Sequence, residues 1–374
     1  MRFLTLIARN LTRRRTRTVL TATGLAVAIA AVLDLVGIAW NFERSFLALF
    51  VGKGIDLVVV RAGISNQLSS TLDQGLAEKL RGIQGVARVA LSLVDTVSFE
   101  QANIASALVN GWESDSLLFR GTRILEGRPF RPGDGRVALL GRVLALNLGK
   151  HVGDGLDVAG EPFQVIGIFE SESLFENGAL IVPLGTLQRM MGREGQVTGF
   201  VIQGASSDPQ AITALRQRIE QAIPGVAATP ARDHVERDVQ IRLAKVMAWA
   251  TTALALLLGS VGMLNTMIMT VFERTQEIGI LRALGWRRKR VLGLILGEAL
   301  CLGLLGAALG LVLAVVGLRA VLIAPTAREF IDPNLPPAVL GLGFGLGLLL
   351  SVLGGIYPAL RAAALDPSEA LRHE

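Results

Sequence analysis

Four stretches of this chain are apolar and long enough to cross a bilayer, and a backbone that enters lipid must satisfy its own polar groups as a helix or a closed barrel. They run over about 18–40, 245–272, 291–318 and 336–357. At a helical rise of about 1.5 Å per residue the first alone spans about 34 Å. A hydrophobic content of 51% with only 5% aromatic residues and a mean hydropathy of +0.51 is outside the soluble range. The expected fold class is an α-helical membrane protein with four transmembrane helices and, between helices 1 and 2, an α/β extracytoplasmic domain.

Charge fixes the orientation. Residues 1–17 carry Arg2, Arg9, Arg13, Arg14, Arg15 and Arg17 and no acid, and FLTLIARNL within them reads as an amphipathic helix lying on a membrane surface. The segment between the second and third spans, 273–290, is also basic, through Arg274, Arg282, Arg287, Arg288, Lys289 and Arg290. Two short segments thus place both termini and this loop on the cytoplasmic side. A cleaved signal peptide would have a shorter apolar core, so the first span is read as retained. The net charge of +6 sits beside the spans, where it meets anionic lipid, and no nucleic-acid motif accompanies it.

Residues 41–244 are near neutral, with 20 Lys and Arg against 22 Asp and Glu, and contain no spanning run. A strand-like Ile55–Val60, a helical spacing of Leu72, Leu76 and Leu80, and the β-rich VARVALSLVDTVSF give a β-α-β order. From about 121 to 195 short β segments (VALLG, DGLDVAG, FQVIGIFES, GALIVP) alternate with Gly, Pro and Asp turns, as expected of a β-rich insertion splitting an α/β lobe. The first lobe resumes with a strand at Gly199–Gln203 and a helix over DPQAITALRQRIEQAI, capped by Asp208 and Pro209, with Ile212, Leu215, Ile219 and Ile223 facing inward.

Several chemistries are excluded. Cys301 is the only cysteine and His151, His234 and His373 are far apart, so neither a disulfide framework nor a metal centre is expected. No GxxxxGK[ST], HExxH or GxSxG occurs, so ATP hydrolysis and the common hydrolase chemistries are not expected of this chain, and no cofactor is expected on it. Asp34, Asn265 and Glu298 are polar residues within spans and so functional candidates. Asp34 lies near the outer end of its span, and Glu298, deeper, is expected to pair within the bundle. Gly293 with Gly297, Gly306 with Gly310, and the run Gly341, Gly343, Gly345 and Gly347 predict close helix packing. On the β-rich lobe, Leu174 and Phe175 are candidates for gripping a partner, with ordinary burial as the alternative.

The loop ERTQEIGILRALGWRRKR carries the most specific pattern. Arg274 and Glu277 are three apart and pair on a helix, Ile278, Leu281 and Leu284 form an apolar edge, and Gly285 suits the helix end. A merely solvated loop would need only positive charge; an apolar edge is what a partner's groove receives.

The segment NTMIMTVFERTQEIGILRALGWRRKRVLGLILGEAL resembles the core motif of the FtsX-like or MacB-type ABC transporter permease family, through Glu273, Arg274, Glu277, Ile278, Gly279, Arg282, Ala283, Gly285 and, in the third span, Glu298. The ending GGIYPALRAAALDPSEALRHE is similar too, through Pro358, Ala359, Arg361, Ala362, Pro367, Ala370, Leu371 and Arg372. Trp286 departs from the pattern, which favours a small residue there. The order of spans leaves a cytoplasmic tail at 358–374 and a short outer loop at 319–335, and the resemblance implies a coupling helix at 273–290 that docks a cytoplasmic ABC ATPase holding ATP and Mg. It also implies a homodimer or heterodimer with a second permease, a bacterial inner-membrane location, and mechanotransmission to the periplasmic domain for export or extraction of a hydrophobic substrate or lipoprotein, with a periplasmic adaptor or carrier as a further partner. Two alternatives stay open: an FtsX-like regulator of a periplasmic cell-wall hydrolase, and a membrane sensor.

Overall fold

The first apolar segment continues well beyond the bilayer length its composition requires. In the computed structural model, which describes residues 7, 10, 13, 15–64, 70–237, 239–323 and 335–366, helix α1 runs unbroken over Arg15–Phe50. It passes the expected boundary at 40 because NFERSFLALF contains no Gly or Pro and places Phe42, Phe46 and Leu49 at helical spacing. The chain divides into two compact units whose seams fall at Ala39/Trp40 and Arg242/Leu243. The expected outer loop at 319–335 lies mostly outside the described residues, as do 367–374 of the tail and Arg2, Arg9 and Arg14.

In the α/β unit the strands are β1 (Leu57–Arg61), β2 (Leu72–Asp73), β3 (Val86–Phe99), β4 (Ile104–Trp112), β5 (Arg123–Gly127), β6 (Val137–Gly141), β7 (Gly155–Val158), β8 (Glu161–Glu170), β9 (Leu180–Pro183), β10 (Gln196–Val197), β11 (Gly199–Gly204) and β12 (Val226–Pro230). The helices are α2 (Leu76–Arg81), α3 (Arg142–Leu148), α4 (Leu174–Asn177), α5 (Leu184–Met190), α6 (Pro209–Ala222) and α7 (Ala231–Arg237). The main sheet has the order β12-β1-β11-β3-β4-β9-β6-β8-β5, with β7 added on β8. Strand β3 belongs to two lobes: Val86–Ser92 pair with β11, and Leu93–Phe99 pair with β4. Thr198 sits where β3 changes partners, its hydroxyl donating to Ser92 O at 2.7 Å and accepting from Val94 N at 3.2 Å.

The β-rich lobe therefore begins near Leu93 and includes β4, well before the expected start at 121. One uninterrupted strand serves both lobes, so no turn residue marks the boundary. The helix expected from Leu72 starts only at Leu76, because Asp73 Oδ1 accepts from Gly75 N at 2.6 Å and turns the chain first. Asp208 caps α6 through Gln210 N and Ala211 N, with Pro209 in its first turn, and Ile212, Leu215, Ile219 and Ile223 are buried.

The membrane unit contains α8 (Val239–Phe272) from Leu243 onward, α9 (Thr275–Ala283), α10 (Arg288–Val321) and α11 (Pro337–Ala364), besides the first part of α1. Four helices, α1, α8, α10 and α11, are long and apolar enough to cross a membrane. Helices α10 and α11 meet almost backbone to backbone. A Cβ on Gly347 would lie 2.7 Å from Gly303 O and 2.8 Å from Ala307 Cβ, and one on Gly303 would collide with Ser351 Oγ and Gly347 O. Gly306 and Gly310 take up Leu25, Ala26 and Ile29 of α1 in the same way, whereas Gly341 and Gly345 face open space. Glycine thus has a packing reason at alternate positions of the run only.

Gly303→Val is expected to destabilise the bundle by about 1–3 kcal/mol or more, since neither neighbour can give way. Gly345→Val, with nothing within reach of its new Cβ, is expected to change little. Melting of the two variants in detergent, followed by size-exclusion chromatography, separates these outcomes.

Candidate functional site

The loop after α8 folds back as α9 because Arg274 gives up its exposure. Its Nη1 donates to both carboxylate oxygens of Glu298 on α10, at 2.8 and 3.0 Å, and its Nε donates to Glu277 Oε2 at 3.1 Å. Glu298 is only 2% exposed and Arg274 is buried, so the pair is held away from water. Asn10 completes the acceptor side by donating from Nδ2 to Glu298 Oε1 at 2.6 Å. A buried carboxylate with two charge-assisted bonds and an amide is tolerable; one stripped of its cation is not.

The basic N-terminal residues reach the same place. Arg13 Nη1 meets Glu277 Oε1 at 3.4 Å, and Arg17 donates to Glu273 Oε1 and, at 3.3 Å, to Thr270 Oγ1. Together with Thr18, Thr266, Met267 and Leu302 these groups line a polar cleft of about 300 Å³.

Helix α9 ends on a left-handed residue. Gly285 has φ of 92°, its N–H bonds to Arg282 O at 3.0 Å, and Trp286 N–H reaches Leu281 O at 3.1 Å. This paired pattern satisfies the last carbonyls and needs a residue without Cβ. Arg282 Nη1 caps from the side onto Trp286 O at 3.4 Å, while its Nε is enclosed with no hydrogen-bond partner among the described residues. The Trp286 ring packs against the bundle core and lies under the Arg290 guanidinium at 4.5 Å.

The apolar edge divides between two faces. Ile278 is buried in the membrane-unit core beside Met267, Val271, Val291 and Ile295, Gly279 is buried with it, and Leu281 is half-buried. The outward face carries Ile280, 49% exposed, and Leu284, 75% exposed. Ile278 turns inward because it follows Arg274 by one helical turn and shares its inward face. Ile280 was not singled out from the sequence; the Glu298 contact, which fixes the rotation of α9, is what exposes it.

Residues 18–222 match the MacB-like periplasmic core domain, and residues 249–367 match the FtsX-like permease C-terminal domain. The chain belongs to the MacB/FtsX-like ABC transporter permease family. The permease is 27% identical to the macrolide export ATP-binding/permease protein MacB of Nitrobacter winogradskyi over 95% of this chain, and spans 58% of that relative's length. It is 26% identical to the uncharacterized ABC transporter permease YknZ of Bacillus subtilis, over 96% of this chain and 95% of the relative. The periplasmic region of MacB from Actinobacillus actinomycetemcomitans aligns with 50% of this chain and 94% of its own at 14% identity, with a TM-score of 0.38.

The other polar candidates of the permease stand apart from this cleft. Asp34 on α1 is half-buried opposite Gly317, and its Oδ1 is enclosed without a hydrogen-bond partner among the described residues. Asn265 is exposed on the wall of an apolar groove between α1 and α8 that also carries Gly24, Ala28 and Gly262.

The proposed gripping pair, Leu174 and Phe175, is instead used for packing. The Phe175 ring is buried edge-on against Phe42 and Phe46 at 5.0 and 4.5 Å, and Leu174 is half-buried. Next to it Glu176 pairs with Lys53 at 2.7 Å, both fully enclosed, with Lys53 also donating to Leu118 O and lying 4.8 Å from the Trp112 ring. Nothing in the sequence around Lys53 or Glu176 signals this pair, because its halves are brought together only by the sheet.

Truncating one side of the Arg274–Glu298 pair is expected to cost about 3–5 kcal/mol, since the other charge stays buried. Glu298→Ala should therefore melt well below the parent in detergent, and Arg274→Met combined with Glu298→Leu should recover most of the loss.

Proposed function

We propose that this permease is the membrane subunit through which a cytoplasmic ABC ATPase moves the periplasmic domain, in the bacterial inner membrane, to export a hydrophobic substrate or to extract a lipoprotein. The observation that carries the reading is α9 itself. One of its faces is fixed to α10 by a buried ion pair, and the opposite face offers Ile280 and Leu284 to water. Two large aliphatic side chains held outward on a short, anchored helix are what a groove on a partner receives.

ATP and Mg are assigned to that partner, since the sequence has no GxxxxGK[ST] phosphate loop. Relatives named for macrolide export and for pyoverdine export support the export reading. The apolar groove between α1 and α8, with exposed Asn265 on its wall, supports pairing with a second permease of the same or a sister chain. A periplasmic adaptor or carrier follows from the same family reading, and the substrate would be selected by the domain at 40–242.

Movement requires that the ATP-bound partner favour one arrangement of the helices over another. Ile280→Asp with Leu284→Asp is expected to abolish stimulation of the partner ATPase while leaving insertion and melting unchanged, because both side chains are exposed. Full stimulation of ATP hydrolysis by that double variant in nanodiscs would contradict the docking assignment. Glu277 and Leu281 are poorer targets, since one pairs with Arg274 and the other is half-buried.

A further inference from the structure

The sequence alone assigns the N-terminal basic residues to lipid and topology. Their contacts point elsewhere. Ile7, Asn10 and Arg13 are helical, and with Arg17 they are spaced three, three and four apart, so they share one face. Ile7 is 3% exposed. The next three meet, in order, Glu298, Glu277 and Glu273. Three acids on the loop and third span thus face an amide and two guanidinium groups on one edge of one segment.

We propose that this N-terminal segment is a brace that sets the orientation of α9, with Arg17 and Asn10 as its positioning residues. The three contacts differ in weight. Arg13 is largely exposed, so its pair with Glu277 contributes little. Arg17 and Glu273 are each about one quarter exposed and Arg17 also holds Thr270, so this contact is screened much less. Asn10 donates to a carboxylate that is out of reach of water, where a missing donor is costly.

The arrangement explains why α9 needs a second support. Arg274 ties its start to α10 and Ile278 and Gly279 are buried beside it, but Ile280, Ala283 and Leu284 toward its far end are exposed, so α9 can still tilt about its buried first turns. Glu273 and Glu277 lie one helical turn apart, just before α9 and in its first turn. Holding both from the N-terminal side removes that freedom and fixes where Ile280 and Leu284 stand. The brace rests on reading α9 as the docking helix for its consequence, but not for its existence, and the two can fail separately.

The test uses the full chain in nanodiscs with Cys301→Ser and a spin label at Leu284→Cys, without any ATPase. With the brace intact the label gives the spectrum of an exposed site on an ordered backbone, which is the restricted reference. Arg17→Glu is expected to raise the mobile fraction about tenfold, as loss of a charge-assisted bond and its replacement by repulsion requires. Adding Glu273→Arg to Arg17→Glu is expected to restore the restricted spectrum, and Arg17→Lys to retain it, in neutral and in anionic lipid alike.

An unchanged label in Arg17→Glu overturns the brace. So does a mobile label that the charge swap fails to restrict, or mobility that follows the anionic lipid content, which would return Arg17 to a lipid role. Should Arg17→Glu fail to fold, Asn10→Leu supplies the second reading: increased label mobility supports the brace, and an unchanged spectrum overturns it. The docking assignment is read separately, on unlabelled protein with the partner ATPase: full stimulation by Ile280→Asp with Leu284→Asp would remove it and leave the brace standing.

Discussion

The membrane unit depends on one buried ion pair. Arg274 and Glu298 stand at the junction where the second span ends, the loop turns back and the third span passes, and removing either leaves the other buried without its main charge partner. Such a pair contributes less to stability than an apolar contact of the same size would, and more to specificity, because the guanidinium fixes both distance and rotation. Here the fixed rotation decides which side of α9 looks outward. Ile278 goes into the core, Ile280 and Leu284 do not, and the outward apolar face follows from that choice.

The α/β unit uses a comparable device for a different purpose. Lys53 and Glu176 are enclosed beside Trp112, while the Phe175 ring packs edge-on against Phe42 and Phe46 next to them. These groups join the last turns of α1 to the β-rich lobe, and β3 joins that lobe to the first through a single strand. Continuity of the chain and enclosed polar contacts, rather than loops, therefore connect the parts of this unit.

Much of this was legible in the residues. Apolar run length located the four spans, charge asymmetry pointed to the loop, and alternation with turn residues located β6, β7, β8 and β9. The Arg274–Glu277 spacing and the role of Gly285 could be read because both are local, acting within one turn of one helix. What could not be read is non-local. The boundary of the β-rich lobe is hidden inside β3, the burial of Phe175 depends on a helix extending ten residues past its span, and the contacts of Asn10 and Arg17 join positions more than 250 residues apart. Glu298 could be marked as a candidate from its place in an apolar run, yet its partner on the preceding loop is fixed by packing.

Helix α9 and the third span act as one body because Arg274 and Glu298 are joined. Hydrogen–deuterium exchange of the amides in 275–285, compared between the parent and Glu298→Gln, measures this most directly. The side chain keeps its size and loses its charge, so faster exchange confined to α9, with α10 still protected, is the predicted result. Equal protection of α9 in both proteins would contradict it.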